Sequence, residues 1–352
     1  MGLVRKLKIL ALAIVLATGL AGCLGGGGGG SSSNTNAGDS DSNPTTPPLV
    51  VLPEPISQTG VVVDWLLKGA LVFADLNGDS ELNAGEVFAF TDDQGQYTLT
   101  NLPSGSNYNL VVRGGIDIAT NDPFKAVLKS PAGYTNISPV TTLVYELKQQ
   151  GLDNAKAEEV TRTLLGINPN TLLDIDATTD KETYAATQQL MTLVSGISQS
   201  MSKVVNKEGD ETFMKSTSQV IFTQLANSLK ESAETSTSNI KDAINNSETL
   251  INQVIEKTSD EVFTADAAAN VATEIKAAAT TRIQTTALQV SQAVISSTTL
   301  TTDTGRTAQQ LVTQASSAIT QTVNITADQK PTTVNNTFDL EESLIPPQIP
   351  TL

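Results

Sequence analysis

The chain has 352 residues, contains no histidine and only one cysteine, and carries a net charge of −16. Without histidine it cannot build a Ser-His-Asp triad, a Cys-His pair or an imidazole-ligated metal site, and a single cysteine excludes an intramolecular disulfide and a thiolate metal cluster. The strong negative charge argues against nucleic acid as a partner.

The first 22 residues have the organisation of a secretion signal. A basic segment precedes an apolar run from Ile9 to Leu20, which is the order of an n-region and an h-region. As a helix that run would cover roughly 18 Å, whereas the hydrocarbon core of a bilayer is about 30 Å thick. We therefore predict a cleaved signal peptide over residues 1–22 and not a transmembrane helix.

The four residues Leu20-Ala21-Gly22-Cys23 resemble the lipobox of bacterial lipoproteins. The resemblance implies cleavage before Cys23, diacylation of its sulfur and acylation of its new amino group. A single acyl chain anchors a protein only marginally, so several chains on Cys23 would make its attachment to the membrane durable. By the same resemblance, Leu24 in place of aspartate after the cysteine implies sorting to the outer membrane of a two-membraned bacterium. The leaflet that the protein faces stays open.

The segment over residues 23–58 is predicted to be a disordered linker. It begins with a run of glycines and serines and continues with asparagine, threonine, aspartate and proline. Such a composition cannot bury enough apolar surface to offset the loss of conformational entropy on folding. About 35 flexible residues typically reach about 30–35 Å, which is enough to hold a domain away from a membrane.

Between residues 59 and 135, short apolar runs alternate with turn signals, as in a small β-sandwich. The runs are Val61–Val63, Ala70–Phe73, Val87–Phe90, Tyr97–Leu99 and Tyr108–Val112. The core side chains expected within them are Phe73, Phe88, Phe90 and Leu110. Gly114 and Gly115 follow without the Gly-Lys-Ser/Thr of a phosphate loop, so we predict that they form a turn.

The most informative segment is Asp75–Glu86, whose spacing matches an EF-hand calcium loop. Such loops supply oxygen ligands from positions 1, 3, 5, 7, 9 and 12, and position 7 uses its backbone carbonyl. The predicted ligands of Ca²⁺ are therefore Asp75, Asn77, Asp79, Glu81, Asn83 and Glu86. Ser80 replaces the glycine expected at position 6, so the turn requires strain or a shifted conformation. An acidic hairpin connection that faces water is the alternative interpretation.

The loop is flanked by predicted strands and not by helices. Together with the following Asp93-Gln94-Gly95-Gln96-Tyr97, it resembles the calcium loops set within Cna B-like or carboxypeptidase-regulatory-like β-sandwiches, and the lipobox extends this likeness to proteobacterial surface lipoproteins. The resemblance covers about residues 60–115. It implies a structural clamp and not a signalling sensor, since extracellular calcium modules bind at about 10⁻⁴ to 10⁻³ M.

Residues 136–330 are predicted to form a helical domain, because apolar residues recur there at intervals of three and four. The clearest stripe consists of Tyr184, Thr187, Met191, Val194, Met201 and Val204, and Thr179 with Glu182 is expected to cap that helix. Further helices are expected near residues 143–150, 211–234, 239–257, 260–295 and 304–323. An intramolecular bundle is the simplest arrangement; an oligomeric seam is the alternative, although sustained heptads with paired charges are not evident.

The predicted fold class is thus α+β: a disordered linker, a small β-sandwich, a helical bundle and an extended, proline-containing tail over residues 331–352. No catalytic carboxylate pair, Ser-Lys dyad or hydrolytic metal site has a signature here, so we expect no enzyme. The sequence favours a calcium-stabilised lipoprotein, anchored in the outer membrane and displayed at the cell surface, which serves adhesion, matrix attachment or surface assembly with an unidentified protein or matrix partner. The alternative is a periplasm-facing accessory lipoprotein that scaffolds an envelope or secretion complex.

Overall fold

A computed structural model describes residues 56–104, 107–235 and 248–325, together with residues 331 and 334. The predicted signal peptide, the lipidation site Cys23, and nearly all of the predicted linker and tail lie outside the described residues, so those assignments stay predictions. The described residues combine antiparallel sheets with a larger helical part, which confirms the α+β class.

In the described residues, eight short strands form three antiparallel sheets. The strands are β1 (Ile56–Val61), β2 (Leu67–Lys68), β3 (Leu71–Asp75), β4 (Phe88–Phe90), β5 (Gln96–Leu102), β6 (Asn109–Arg113), β7 (Ile116–Asp117) and β8 (Val127–Ser130). Strand β1 pairs with β5, β2 pairs with β7, and the remaining four form a sheet in the order β4-β3-β6-β8. Strand β8 has no counterpart among the predicted strands.

Strands β3, β6 and β8 of the four-stranded sheet are buried on both faces. Val72 and Leu110 point into the main hydrophobic core, whereas Phe73 and Val111 belong to a smaller cluster, because successive residues of a strand face opposite sides. Leu82, from the middle of the acidic segment, packs on that smaller cluster. The acidic loop is therefore anchored to the sheet by an apolar side chain.

The prediction that Phe73, Phe88, Phe90 and Leu110 are core side chains was half right. Phe73 and Leu110 are buried, but Phe88 and Phe90 are 39% and 52% exposed. Strand β4 lies at the edge of the sheet, and Phe88 stands opposite Phe73 at the margin of the smaller cluster. The two exposed rings contact each other edge to face, with centroids 6.2 Å apart. An edge strand has a neighbouring strand on one side only, so its side chains have fewer neighbours and stay partly exposed to solvent.

The double glycine forms the predicted turn, which leads from β6 into β7. Gly114 and Gly115 have φ angles of +64° and +90°, a region that glycine enters without steric cost. A Cβ atom on Gly115 would stand 2.7 Å from the Cβ atom of Ala70. Gly115 is therefore required for two reasons: the turn needs a positive φ angle, and Ala70 leaves no space for a Cβ atom.

Seven α-helices follow in the described residues: α1 (Pro139–Gln149), α2 (Asn154–Leu165), α3 (Lys181–Val204), α4 (Glu211–Thr235), α5 (Glu248–Val262), α6 (Ala265–Ser296) and α7 (Thr302–Thr322). A single 3-10 turn, Ala177–Thr179, precedes α3. Each of the predicted helical segments overlaps one of these helices. Of the described residues, none forms a helix long and apolar enough to cross a membrane.

Helix α3 is the central element of the helical part. Its predicted apolar stripe is buried, but so are most of its remaining side chains, including Gln188, Leu193 and Ser198. The reason is that α1, α4, α6 and α7 all pack against it. A helix surrounded in this way buries polar side chains on faces that a two-sided amphipathic pattern would leave to water.

The predicted capping box of α3 is wrong. Asp180, and not Thr179, caps the helix, and its carboxylate accepts a hydrogen bond of 2.8 Å from the Thr183 backbone N–H. Thr179 belongs to the preceding 3-10 turn, and the Glu182 carboxylate accepts from the Asn168 N–H at 3.0 Å. Aspartate is as good an N-cap as threonine or better, so a shift by one residue satisfies the helix end equally well.

Sheets and helices meet around Trp65, in the turn between β1 and β2. Its ring packs edge to face on Tyr184 of α3, with centroids 5.1 Å apart. On the side of α7, a Cβ atom on Gly305 would stand 2.6 Å from the indole. Side chains from both regions, such as Leu110 and Leu190, also share one continuous hydrophobic core. The described sheets and helices therefore form one packed unit.

Candidate metal centre

The acidic loop begins at the last residue of β3 and ends at Glu86, two residues before β4 begins. Asp75 opens it and is 1% exposed. Its two carboxylate oxygens accept hydrogen bonds from the backbone N–H groups of Gly78, at 2.6 Å, and Ser80, at 3.0 Å. One buried carboxylate thus folds the first half of the loop around itself.

Asp79 is the centre of the second set of hydrogen bonds. Its Oδ1 atom accepts from the Glu81 backbone N–H at 2.7 Å, and its Oδ2 atom accepts from the side-chain amides of Asn77 and Asn83, each at 2.8 Å. The Asn77 Oδ1 atom in turn accepts from the Asp79 N–H at 3.1 Å. Positions 3, 5 and 9 of the predicted calcium loop are therefore brought together.

Glu86 closes the loop into a ring. One of its carboxylate oxygens accepts from the Leu76 backbone N–H at 2.9 Å, and the other accepts from the Asn83 N–H at 2.8 Å. These bonds join position 12 to positions 2 and 9, and they bring the end of the segment back to its beginning. The predicted bidentate residue consequently lies where it links both halves of the loop.

Ser80 makes the turn at the position where the motif has glycine. Its φ angle is +64°, in the left-handed region, and Gly78 adopts +80°. The left-handed conformation costs a residue with a Cβ atom about 1–2 kcal/mol. The structure therefore confirms the expected strain, and it shows that Ser80 keeps the turn of the motif.

Arg113 fixes the middle of the loop from strand β6. Its guanidinium donates to both carboxylate oxygens of Glu81, at 2.8 and 2.6 Å, and to the Ser80 carbonyl at 2.5 Å. Arg113 is 9% exposed, and the planar guanidinium suits this two-pronged contact. Since the Glu81 side chain is engaged with Arg113, a ligand from this residue would be its backbone carbonyl, which accepts a hydrogen bond of 3.1 Å from the Asn83 side-chain amide.

The environment of Asp79 favours its charged form. Burial alone would raise the pKa of this carboxyl, but the Glu81 N–H, the two asparagine amides and the charge of Arg113 together lower it below its ordinary value. Each of these groups stabilises the anion by donating a hydrogen bond or by attraction. The loop thus holds an ionised carboxylate at neutral pH, as a cation ligand requires.

Direct hydrogen bonds join five of the six predicted ligands, whereas Asp75 is bonded to the Gly78 and Ser80 backbone, and the six are not arranged as a finished coordination sphere. Across the described ranges, no three side chains of Asp, Glu, His or Cys converge closely enough to hold a metal ion. The Asn77 and Asn83 amide groups turn their N–H₂ ends toward Asp79. A carboxylate that accepts an N–H bond keeps further lone pairs. The donor set therefore fits a hard cation such as Ca²⁺ once the two amides rotate.

Two buried carboxylates outside the loop were not predicted from the sequence. Asp64, in the turn after β1, is 8% exposed, and Asp117, in β7, is 5% exposed. The available signal was Asp64 itself, an acidic residue inside the apolar run from Val61 to Leu67. Acidic side chains are rarely buried without a partner, so an aspartate at this position indicates a buried carboxyl group that is paired with another polar group.

Comparison of the chain with protein-family models, with curated proteins and with solved structures found no match.

Proposed function

We propose that the chain is a non-enzymatic lipoprotein of the bacterial outer membrane whose acidic loop binds calcium as a structural clamp. The observation that carries this proposal is the closed ring in which Asp75, Asp79 and Glu86 each organise backbone N–H groups of the same twelve-residue loop. The lipobox that ends at Cys23 and the linker that follows it support the membrane anchor.

The clamp would act on the sheet. The ring joins the end of β3 to the start of β4, and Arg113 connects its middle to β6. A bound cation would neutralise the repulsion among the loop carboxylates and fix three adjacent strands relative to one another. The two-layer sandwich that we propose for this region is supported by Leu99 and Leu102 of β5, which belong to the same hydrophobic core as Val72 of the four-stranded sheet.

The clamp is tested by calcium-dependent melting of the full chain, purified in a non-ionic detergent. Millimolar calcium should raise the melting temperature of the wild type, and magnesium should raise it less, because Mg²⁺ loses its hydration water reluctantly. The variants Asp79→Asn and Glu86→Gln keep the size of the side chains and should abolish the calcium response. Asp93→Asn, a matched change at an exposed carboxylate outside the ring, should keep it.

The readout is the difference in melting temperature with and without calcium, so a variant that is less stable for other reasons does not blur the result. Absence of a calcium response in the wild type would contradict the clamp and leave the loop as a hydrated acidic connection. An equal response in all three variants would place the calcium elsewhere.

Display at the cell surface, for adhesion, matrix attachment or surface assembly, is the role that we propose for the anchored domain. Protease added to intact cells should then degrade the helical part while a periplasmic control protein survives. Complete protection would favour the alternative, a periplasm-facing lipoprotein that scaffolds an envelope or secretion complex. A Cys23→Ser variant should leave the membrane fraction in either case, since it lacks the acylated sulfur.

A further inference from the structure

A cavity of about 310 Å³ lies where the sheets meet the helical bundle, and no part of the proposed clamp contributes to it. Four elements supply its polar end: Asp64 from the turn after β1, Asp117 from β7, Gln188 from α3 and Gln309 from α7. Its other walls mix apolar side chains, namely Phe124, Met191, Val194, Met214 and Val312, with polar ones such as Thr120, Ser195, Ser198 and Thr313. The cavity therefore offers both polar groups and apolar surface, as small-molecule sites do.

Each of the two glutamines has a side-chain oxygen that accepts no hydrogen bond at this cavity. The Gln188 Nε2 atom donates to the backbone carbonyl of Asp64 and to its Oδ1 atom, and the Gln309 Nε2 atom donates to Asp117 Oδ2. A carbonyl accepts and never donates, so these contacts fix which end of the Gln188 amide carries the nitrogen. The Oε1 atoms of both glutamines are buried and have no hydrogen-bond partner in the described residues.

Ser198 adds a third buried group of this kind. It lies on α3, lines the same cavity and is 1% exposed, and its hydroxyl has no partner among the described residues. Gln188 is completely buried, and Gln309 is 7% exposed. Buried polar groups are nearly always satisfied in folded proteins. Three unsatisfied groups at one cavity therefore indicate a ligand that supplies hydrogen-bond donors.

Carboxyl groups outnumber basic groups at the cavity. Asp64, Asp117 and the more exposed Asp122 line it, and Lys125 is the basic residue among the lining residues. Asp117 is already engaged by the backbone N–H groups of Ala119 and Thr120, at 2.7 and 2.9 Å, as well as by Gln309. Its charge acts on the cavity, whereas Asp64, held by Gln188, is the carboxyl that is left for a ligand.

We propose that this cavity binds a small molecule that carries a primary ammonium group on a short alkyl chain. The three N–H donors of an ammonium match the unpaired Oε1 atoms of Gln188 and Gln309 and the Asp64 carboxylate. Its charge compensates the acidic end, and its alkyl chain fits against the apolar side chains of the walls, such as Met191 and Val312. Burial and the neighbouring charge of Asp117 raise the pKa of Asp64 to about 8. Binding of a cation near pH 7 should therefore release a proton.

The proposal is tested by isothermal titration calorimetry on the full chain in a non-ionic detergent, with 1,4-diaminobutane as the probe. We expect saturable binding, and we expect the measured enthalpy to change with the ionisation enthalpy of the buffer because a proton is released. The neutral 1,4-butanediol, which has the same chain length and hydroxyl donors, should bind at least about tenfold more weakly, since hydrogen bonds to charged groups are the stronger ones.

Three variants locate the binding. Asp64→Asn keeps the shape and the acceptor for Gln188, and it should weaken binding at least about tenfold and remove the proton release. Asp93→Asn makes the same change at an exposed site and should have no effect. Ser195→Trp, on the cavity wall in α3, should fill the space without changing any carboxylate and should abolish binding. A cooperative melting transition would show that each variant is folded, and Ser195→Trp keeps the test valid if Asp64→Asn unfolds.

Several outcomes would overturn the proposal. Equal binding of the diol would assign the cavity to a neutral polyol, and competition by millimolar calcium or sodium would assign it to a metal ion. Failure of 1,4-diaminobutane to bind, or binding that survives Ser195→Trp, would remove the site. A lysine side chain of another protein carries the same ammonium group, so Nα-acetyl-lysine methylamide is a second probe. Tighter binding of that probe supports the ammonium chemistry and identifies a protein as its source.

Discussion

The acidic loop and the buried cavity hold carboxylates of the same type in opposite states. In the loop, Asp79 is exposed and surrounded by N–H donors and Arg113, and its pKa is lowered although burial alone would raise it. In the cavity, desolvation and the charge of Asp117 outweigh the hydrogen bond from Gln188 and raise the pKa of Asp64 to about 8. The loop therefore suits a dication that neutralises several ionised groups, whereas the cavity suits a ligand that brings both charge and N–H donors.

The largest expected effect contrasts the packing of the two regions. Trp65→Ala removes a buried ring from between α3 and α7 beside the cavity, and it should lower the free energy of unfolding by about 3–5 kcal/mol. Phe88→Ala removes a ring of the edge strand that is 39% exposed, and it should cost less than about 1.5 kcal/mol. Urea unfolding followed by circular dichroism measures both. Equal losses would show that the two regions are packed to the same degree.

The second prediction concerns pH. The folded state keeps the Asp64 proton up to a pKa of about 8, whereas the unfolded chain releases it near the ordinary value of 3.8. The free energy of unfolding should therefore fall as the pH rises from about 4 to about 8, because ionisation of Asp64 favours the unfolded chain. Below about pH 4, Asp64 is protonated in both states and this loss is absent. Asp64→Asn should remove this decline and be more stable than the wild type at pH 8 by roughly 2–4 kcal/mol.

The measurement is a series of urea unfolding curves between about pH 4 and pH 8. Asp79→Asn is the matched variant in the loop, where the pKa is shifted in the other direction. The Asp79→Asn variant should still show the fall in the free energy of unfolding above about pH 5. Parallel pH profiles for the wild type and Asp64→Asn would mean that Asp64 is ionised in the folded protein at neutral pH.

The third prediction separates charge from geometry in the loop. Arg113→Lys keeps the positive charge but loses the planar fork that contacts Glu81 and the Ser80 carbonyl. It should lower the free energy of unfolding by about 1–2 kcal/mol, and Arg113→Gln should cost about as much. A lysine variant as stable as the wild type would show that the charge alone holds the loop.

The smallest effect isolates the strained turn. Ser80→Gly and Ser80→Ala both lose the hydroxyl, but only alanine keeps a Cβ atom at a φ angle of +64°. The glycine variant should therefore be more stable than the alanine variant by about 1 kcal/mol. Thermal unfolding with and without calcium checks this difference. Equal stability would mean that the loop relaxes to another conformation when the side chain is shortened.

The acidic loop could be recognised from the sequence because its determinants are local, whereas calcium binding stays a prediction. Asp75, Asp79 and Glu86 lie within twelve residues, so their spacing alone could assign them to one loop. Arg113 could not be predicted as part of it, since it comes from β6, more than thirty residues later in the chain. The strand pairing that brings β6 beside β3 has no signature in the loop itself.

The cavity lay further beyond sequence analysis. Gln188 and Gln309 contact carboxylates that are 124 and 192 positions away, and nothing in a Ser-, Thr- and Gln-rich helix distinguishes a glutamine that faces water from one that is buried. Strand β8 was missed for a related reason. Lys129 interrupts its apolar pattern, yet this lysine is buried and bonded to Glu146 of α1 at 3.1 Å.

The position of Trp65 gives the molecule an optical reporter at its most informative point. It is the only tryptophan of the chain, and it stands next to Asp64, with its backbone N–H donating to Asp117. Its intrinsic fluorescence can be excited selectively, so emission from this one indole reports whether α7 is docked over the sheets. The same signal should respond when an amine enters the cavity and stay silent when calcium binds to the loop, which would follow the two sites separately without any label.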